Sequence, residues 1–226
     1  RSEVRIRRKV QRVIYCDFLS MYPTVCTKMG LWSFVIAQGV DWRDGTEEIR
    51  KLLDEITPED FQKPETWRKL TAIVRVRPDG DRFPVRAEYV DGAGTSIGLN
   101  YLSSEKSLYY TLADCIASTF LTGKPPKVEE AIIFSPRQPQ TGLVPATVGG
   151  QSNCLVDPYK DDFYKRMIEL RQEIKAKLKS APSAQKPQLE AAQLALKIVA
   201  NATSYGIFVE VNVRDELKKK PVTCYG

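Results

Sequence analysis

Apolar positions recur along this chain in two periods, one of strands and one of helices. Between 71 and 90, TAIVRVR and RFPVRAEYV alternate apolar with polar or charged residues, the period of a half-buried strand. Pro78-Asp79-Gly80-Asp81 between them is a turn signal, so a β-hairpin is predicted, with IGLNYL at 97–102 as a third strand. VQRVIYC at 10–16 and EAIIF at 130–134 also read as strands, rich in β-branched and aromatic residues. Helical spacing predicts a short apolar helix over Trp32 to Ala37 and a surface helix over Thr46 to Ile56, with Thr46 as its N-cap. Thr57-Pro58-Glu59-Asp60 opens another, with proline at the first helical position. Ser104 is expected to cap a helix carrying Leu108, Leu112, Cys115, Ile116 and Phe120, which Gly123 ends.

From Asp157 the helical period dominates. Phe163, Met167, Leu170, Ile174 and Leu178 form one apolar stripe; APSAQKPQ breaks it, and Leu189, Ala192, Leu196 and Val199 form a second. Two amphipathic helices joined by a short polar loop predict an antiparallel helical hairpin. The Pro-, Gly- and Gln-rich stretch 135–155 reads as a connection, and the fold class is α+β.

Composition narrows the chemistry. The 226 residues are 42% hydrophobic and 27% charged, an ordinary globular balance, with net charge +6. Basic residues cluster in RIRRKVQR at 5–12 and between Lys165 and Lys179; such clusters favour polyanions, although each alone could be a solvated face. Five scattered cysteines form no C-x-x-C pair, which fits a reducing, intracellular (cytoplasmic) setting. No apolar run approaches the roughly 20 residues of a membrane span, and no membrane partner is expected. Histidine is absent, so catalysis within this chain would run on carboxylates, lysine, arginine and hydroxyls.

Two groups of residues are candidates for such work. Asp17 ends an apolar run, a position suited either to a turn residue or to a Mg²⁺ ligand. On the predicted hairpin, Arg171 and Lys175 stand one turn apart, as do Lys197 and Asn201. If the helices are antiparallel, three cations and an amide could converge on one edge and suit a polyphosphate. A solvated helix face would leave the same pattern.

Asp17-Phe18-Leu19-Ser20-Met21-Tyr22-Pro23-Thr24 resembles the first palm motif of family B DNA polymerases, D-x-x-S-L-Y-P-S. Lys197 to Gly206, KIVANATSYG, resembles their second motif, K-x-x-x-N-S-x-Y-G, and ELRQEIKAKLK is similar to the preceding finger helix. The three occur in the family's order. The resemblance implies a partial polymerase palm, an antiparallel sheet with packing helices, plus a two-helix fingers hairpin. Residues 1–155 would be palm core with a family-specific insertion at about 40–150, 156–206 the fingers, and 207–226 the return to the palm.

It also implies a site. Asp17 would be the catalytic carboxylate, binding Mg²⁺ of a two-metal centre with the Phe18 carbonyl as a second oxygen. Ser20, Met21 and Tyr22 would contact the nucleotide's phosphates, with the Tyr22 ring under the sugar, excluding a 2′-hydroxyl. Arg171, Lys175, Lys197 and Asn201 would hold the dNTP triphosphate, and Tyr205 with Gly206 would border the nascent base pair on primer–template DNA. The activity implied is Mg²⁺-dependent addition of dNTPs to a primer 3′-hydroxyl.

The chain departs from the pattern in three respects. Three residues, not two, separate Asn201 from Tyr205-Gly206, which predicts a π-bulge that returns Tyr205 to the site; without one, Ser204 faces it and Tyr205 turns about 100° away. The stretch from Thr24 to Tyr159 is long and has no role assigned. The family's third motif, Tyr-x-Asp-Thr-Asp, is absent from these residues, as are a proofreading domain and a thumb. The expectation is therefore part of a polymerase, inactive or nearly so alone, whose remainder lies in the same or a second chain. The alternative is a polymerase-derived module that binds nucleic acid or nucleotide without catalysis.

Overall fold

The computed structural model describes residues 10, 12–18, 20–87, 94, 96–148 and 155–206. The expected return to the palm over 207–226 and most of the basic cluster at 5–12 lie outside them. The described residues form an α+β structure with antiparallel sheets.

The first elements among the described residues are helix α1 (Met21–Met29) and the single turn α2 (Trp32–Val35). Strand β1 (Val40–Asp44) then leads into α3 (Thr46–Glu55). Ile49 and Leu53, one turn apart on α3, are each 1% exposed, which seats that helix on the sheet. Its start differs from expectation by one residue. Gly45 is the N-cap, and Asp44 takes the capping role by accepting from the Thr46 N–H (2.8 Å) and hydroxyl (2.6 Å). The Thr46 hydroxyl in turn accepts from the Ala131 N–H, so it ties α3 to the sheet. A Cβ at Gly45 would overlap the Ile133 side chain, which would have to shift to admit it.

The helix start expected at Thr57 is a 3₁₀ turn over Pro58–Gln62, with Thr57 and Asp60 as a reciprocal capping pair not among the expectations, and α4 (Pro64–Arg68) follows. Strand β2 (Ala72–Arg77) comes next, then β3 (Asp79–Ala87), β4 (Ser96–Ser103) and β5 (Leu108–Thr111). Helix α5 (Leu112–Thr122) and β6 (Lys127–Pro136) complete this unit. The main sheet has the order β1-β6-β2-β5, while β3 and β4 pair only with each other.

The predicted hairpin over 71–90 is therefore corrected. Both strands exist, but the Pro78 turn hands the chain from one sheet to another. Alternation reveals a strand's buried face but not its partner, and β2, with Ala72, Val74 and Val76 buried, is flanked on both sides by others. The predicted cap at Ser104 is corrected as well. Ser104 closes a local turn onto Lys106, Leu108–Thr111 extends along β2, and Thr111 with Asp114 caps a helix that starts at Leu112. The aromatic and β-branched run Leu-Tyr-Tyr-Thr prefers the strand once β2 lies alongside. Gly123 ends α5 at φ +75°, as expected.

Two short strands, β7 (Ala146–Thr147) and β8 (Leu155–Val156), pair before the helical hairpin of α6 (Phe163–Ser180) and α7 (Lys186–Ser204). The two predicted stripes meet. Met167, Leu170, Ile174, Leu196 and Ala200 are buried together, with Phe163, Leu178, Leu189, Ala192 and Val199 around them. A separate core holds Ile49, Leu53, Val74, Val76, Phe83, Leu112 and Cys115 between the sheet and helices α3 and α5. The strand predicted at 10–16 is not present. Val10, Val13, Ile14 and Tyr15 are 80–98% exposed, and no described strand pairs with them. Strand-forming side chains extend the backbone stably only when a partner supplies hydrogen bonds and cover.

Candidate functional site

Helix α1 begins within the Asp17–Thr24 motif. Ser20, its N-cap, has φ 48° and ψ 53°, the only positive φ outside glycine among the described residues. A serine at this position usually turns its hydroxyl back to cap the helix; Ser20 does not. The hydroxyl instead accepts from Arg171 Nη1 at 3.3 Å, across 151 residues of sequence. The N–H groups of Met21 and Tyr22 lie in the first turn, where a helix provides no internal acceptor, and Pro23 has none to offer.

The hairpin meets α1 at several points. Arg171 Nε also donates to Gln193 Oε1 of α7 at 2.9 Å, so the guanidinium spans Ser20, α6 and α7. The Tyr22 ring meets Tyr205 edge to face, with centroids 4.9 Å apart. The Thr27 hydroxyl donates to Asp162, which also caps α6 by accepting from the Lys165 N–H. Trp32 donates to the Pro158 carbonyl at 3.0 Å and stacks on Phe163. Beneath this junction, burial first and the Asp162 charge second push the Cys26 thiol above its ordinary range. Burial, then Cys26 and Asp162, raise the Tyr164 phenol, whose hydroxyl donates to the Thr203 carbonyl. Both groups therefore stay neutral near pH 7.

The pairings Arg171–Gln193 and Tyr164–Thr203 confirm that the hairpin is antiparallel. They also set the order of the cations along the shared edge. Lys175 lies one turn from Arg171 toward the loop, and Lys197 one turn from Gln193 in the opposite direction, about 6 Å each along the axis. The cations are strung along roughly 12 Å of seam, with Arg171 in the middle, not gathered at one point. Lys175 and Lys197 are exposed, and Asn201, half-buried, lies one turn beyond Lys197.

The π-bulge is not there. Helix α7 is a continuous α-helix through Ser204, and the Tyr205 N–H donates to the Asn201 carbonyl at 3.1 Å. The Ser204 hydroxyl donates to the Ala200 carbonyl of its own helix at 2.6 Å. Tyr205 reaches Tyr22 without a bulge because α1 packs beside the end of α7, where a residue 100° around the helix still touches it. Gly206 follows at φ +69°.

Asp17 and Phe18 stand apart from this network. Both are exposed, and neither has a hydrogen-bond or ion-pair partner among the described residues. Met21 and Tyr22 are about half exposed at the same edge. As metal donors, one carboxylate and one backbone carbonyl are hard oxygens suited to Mg²⁺, but they leave most of its shell to water and phosphate. The residues present thus fit an ion shared with a nucleotide; among the described residues no group of three acidic, cysteine or histidine ligands stands in one place.

Gln193, Thr27 with Asp162, and Trp32 are parts of this site that the motifs did not reveal. Gln193 was within reach of sequence reasoning, since it sits one turn before Lys197 on the same helical row. The other contacts join α1 and α2 to residues more than 120 positions away, and local spacing carries no trace of them. Comparison of the chain with family models, curated proteins and solved structures found no match.

Proposed function

We propose that this chain is part of a template-directed DNA polymerase and that the junction of α1 with the helical hairpin binds the incoming dNTP. The observation that carries the reading is the packing of the Asp17–Thr24 motif against α6 and α7, through Ser20–Arg171 and Tyr22–Tyr205. Residues singled out by ordered motifs far apart in sequence are neighbours in space, as a shared substrate requires.

The chemistry available there suits a nucleoside triphosphate. Arg171, Lys175 and Lys197 offer positive charge over a length of seam comparable to a triphosphate, and the first turn of α1 offers N–H groups and the positive end of a helix dipole. Gln193 and Ser20 hold the guanidinium in place before any ligand arrives. Tyr22, braced by Tyr205, provides a partly exposed ring beside which a sugar can lie. Asp17 and the Phe18 carbonyl would hold Mg²⁺ jointly with the phosphates. The ion, when bound, would activate a primer 3′-hydroxyl and steady the departing pyrophosphate, with further carboxylates from the rest of the polymerase.

Equilibrium titration with a fluorescent dNTP tests this. Binding is expected to require Mg²⁺, to lose that requirement along with most of its affinity in Asp17→Ala, and to weaken about 10- to 100-fold in Arg171→Ala, the range for lost charge-assisted hydrogen bonds. Saturable binding indifferent to Mg²⁺ and to Asp17 would favour a non-catalytic nucleotide-binding module. No saturable binding at all would remove the reading.

A further inference from the structure

The ribbon formed by β3 and β4 has a face with no part in the dNTP site. Its inner side is anchored: Phe83 is fully buried and stacks on Tyr110 with centroids 4.0 Å apart, and the Arg82 N–H donates to the buried Ser118 hydroxyl of α5. The cross-strand pairs Arg82 with Tyr101, Pro84 with Leu99, and Arg86 with Ile97 therefore point the other way. Tyr101 is 69% exposed, Ile97 58% and Leu99 53%. The Arg82 guanidinium lies 4.3 Å from the centre of the Tyr101 ring, covering one side of it and holding it upright.

Both charged residues on this described face are arginines; the aspartates of β3, Asp79 and Asp81, lie at its turn end, with Asp81 buried. A flat row of exposed apolar groups with a propped aromatic ring and two guanidinium groups is complementary to an anionic polymer with stacking faces. We infer that the β3–β4 ribbon binds single-stranded nucleic acid, with one base on the free side of Tyr101 and backbone phosphates at Arg82 and Arg86. A duplex would present only phosphates to this face, because its bases are already stacked, and would leave the ring and the two aliphatic residues unused. This inference stands on the ribbon alone and does not depend on the dNTP site.

The test is fluorescence anisotropy of a labelled oligo(dT) 20-mer with the full chain, in EDTA and without nucleotide, each variant being made also in an Arg171→Ala, Lys175→Ala, Lys197→Ala background so that the cations of the α1–hairpin seam are not what is read. Tyr101→Ser is expected to weaken binding about 5- to 150-fold, the range for one lost base–aromatic stack, and Tyr101→Phe to keep it. Arg82→Ala with Arg86→Ala should lower the slope of log K against log salt by about 0.7 for each phosphate contact removed. Lys51→Ala, on the exposed face of α3, should change neither. Unchanged affinity in Tyr101→Ser, or an equal loss on blunt duplex, would overturn the inference. So would a shift in oligomeric state by sedimentation, which would assign the face to contact between copies of this chain.

Discussion

Ser20 sits in the left-handed region at φ 48°, and its hydroxyl is turned toward Arg171 and away from its own helix. A side chain there costs about 1–2 kcal/mol relative to glycine, so the position is held by its surroundings. Replacing Ser20 with either Gly or Ala removes the same hydroxyl, but only Gly relieves the backbone. Ser20→Gly is therefore expected to be more stable than Ser20→Ala by about 1–2 kcal/mol in urea unfolding, the relief of the positive φ adding to the ordinary preference for glycine over alanine at an N-cap. Equal stabilities, or a more stable Ala variant, would show that the strain is not felt. At this scale the sequence was informative where chemistry is local. Asp17, Ser20, Tyr22, Arg171 and Tyr205 could all be picked out from motif and spacing. That Ser20 would spend its hydroxyl on Arg171 could not, because that bond depends on how two distant helices dock.

Among the elements, the helical hairpin was the most legible, since its stripes repeat over five turns and each helix buries them against the other. Met167 is fully buried at the centre of that interface and Leu170 nearly so. Met167→Ala should destabilise the chain by about 2–5 kcal/mol, measured by denaturant or thermal unfolding, whereas an exposed position on the same helix such as Glu173→Ala should change it by less than about 0.5. A small effect at Met167 would mean that the two helices do not pack as described. Strands were legible one at a time, and their partners were not. The alternation in β2 and β3 is the same whether they pair together or with others, and their partners follow from non-local contacts such as Phe83 on Tyr110 and the Arg82 N–H on Ser118. The apolar run at 10–16 failed as a strand for the same reason, because pattern specifies a face but pairing needs a neighbour. The missing π-bulge shows a related limit. The bulge was expected so that Tyr205 could return to the face of Lys197, but α7 stays regular and Tyr205, its C-cap, meets Tyr22 from the turned position because α1 lies there.

Among the described residues two hydrophobic cores are separate, one under the main sheet and one inside the hairpin, and α1 and α2 both touch each unit. The N-terminal end of α1 meets α6 and α7 through Ser20 and Tyr22, while at its C-terminal end Lys28 lies over the Trp67 ring of α4, 4.6 Å from the centroid. A ligand bound at the junction would therefore report on two stretches of chain at once. The central claim is that the Asp17–Thr24 motif and the helical hairpin are two walls of one nucleotide site. Hydrogen–deuterium exchange with and without a dNTP in Mg²⁺ tests it most directly. Joint protection of peptides covering 17–25, 167–175 and 193–206 is expected, with all three effects largely lost in Arg171→Ala at a dNTP concentration near the Kd of the unsubstituted chain. Protection confined to one of these stretches, or persisting unchanged in Arg171→Ala, would contradict it.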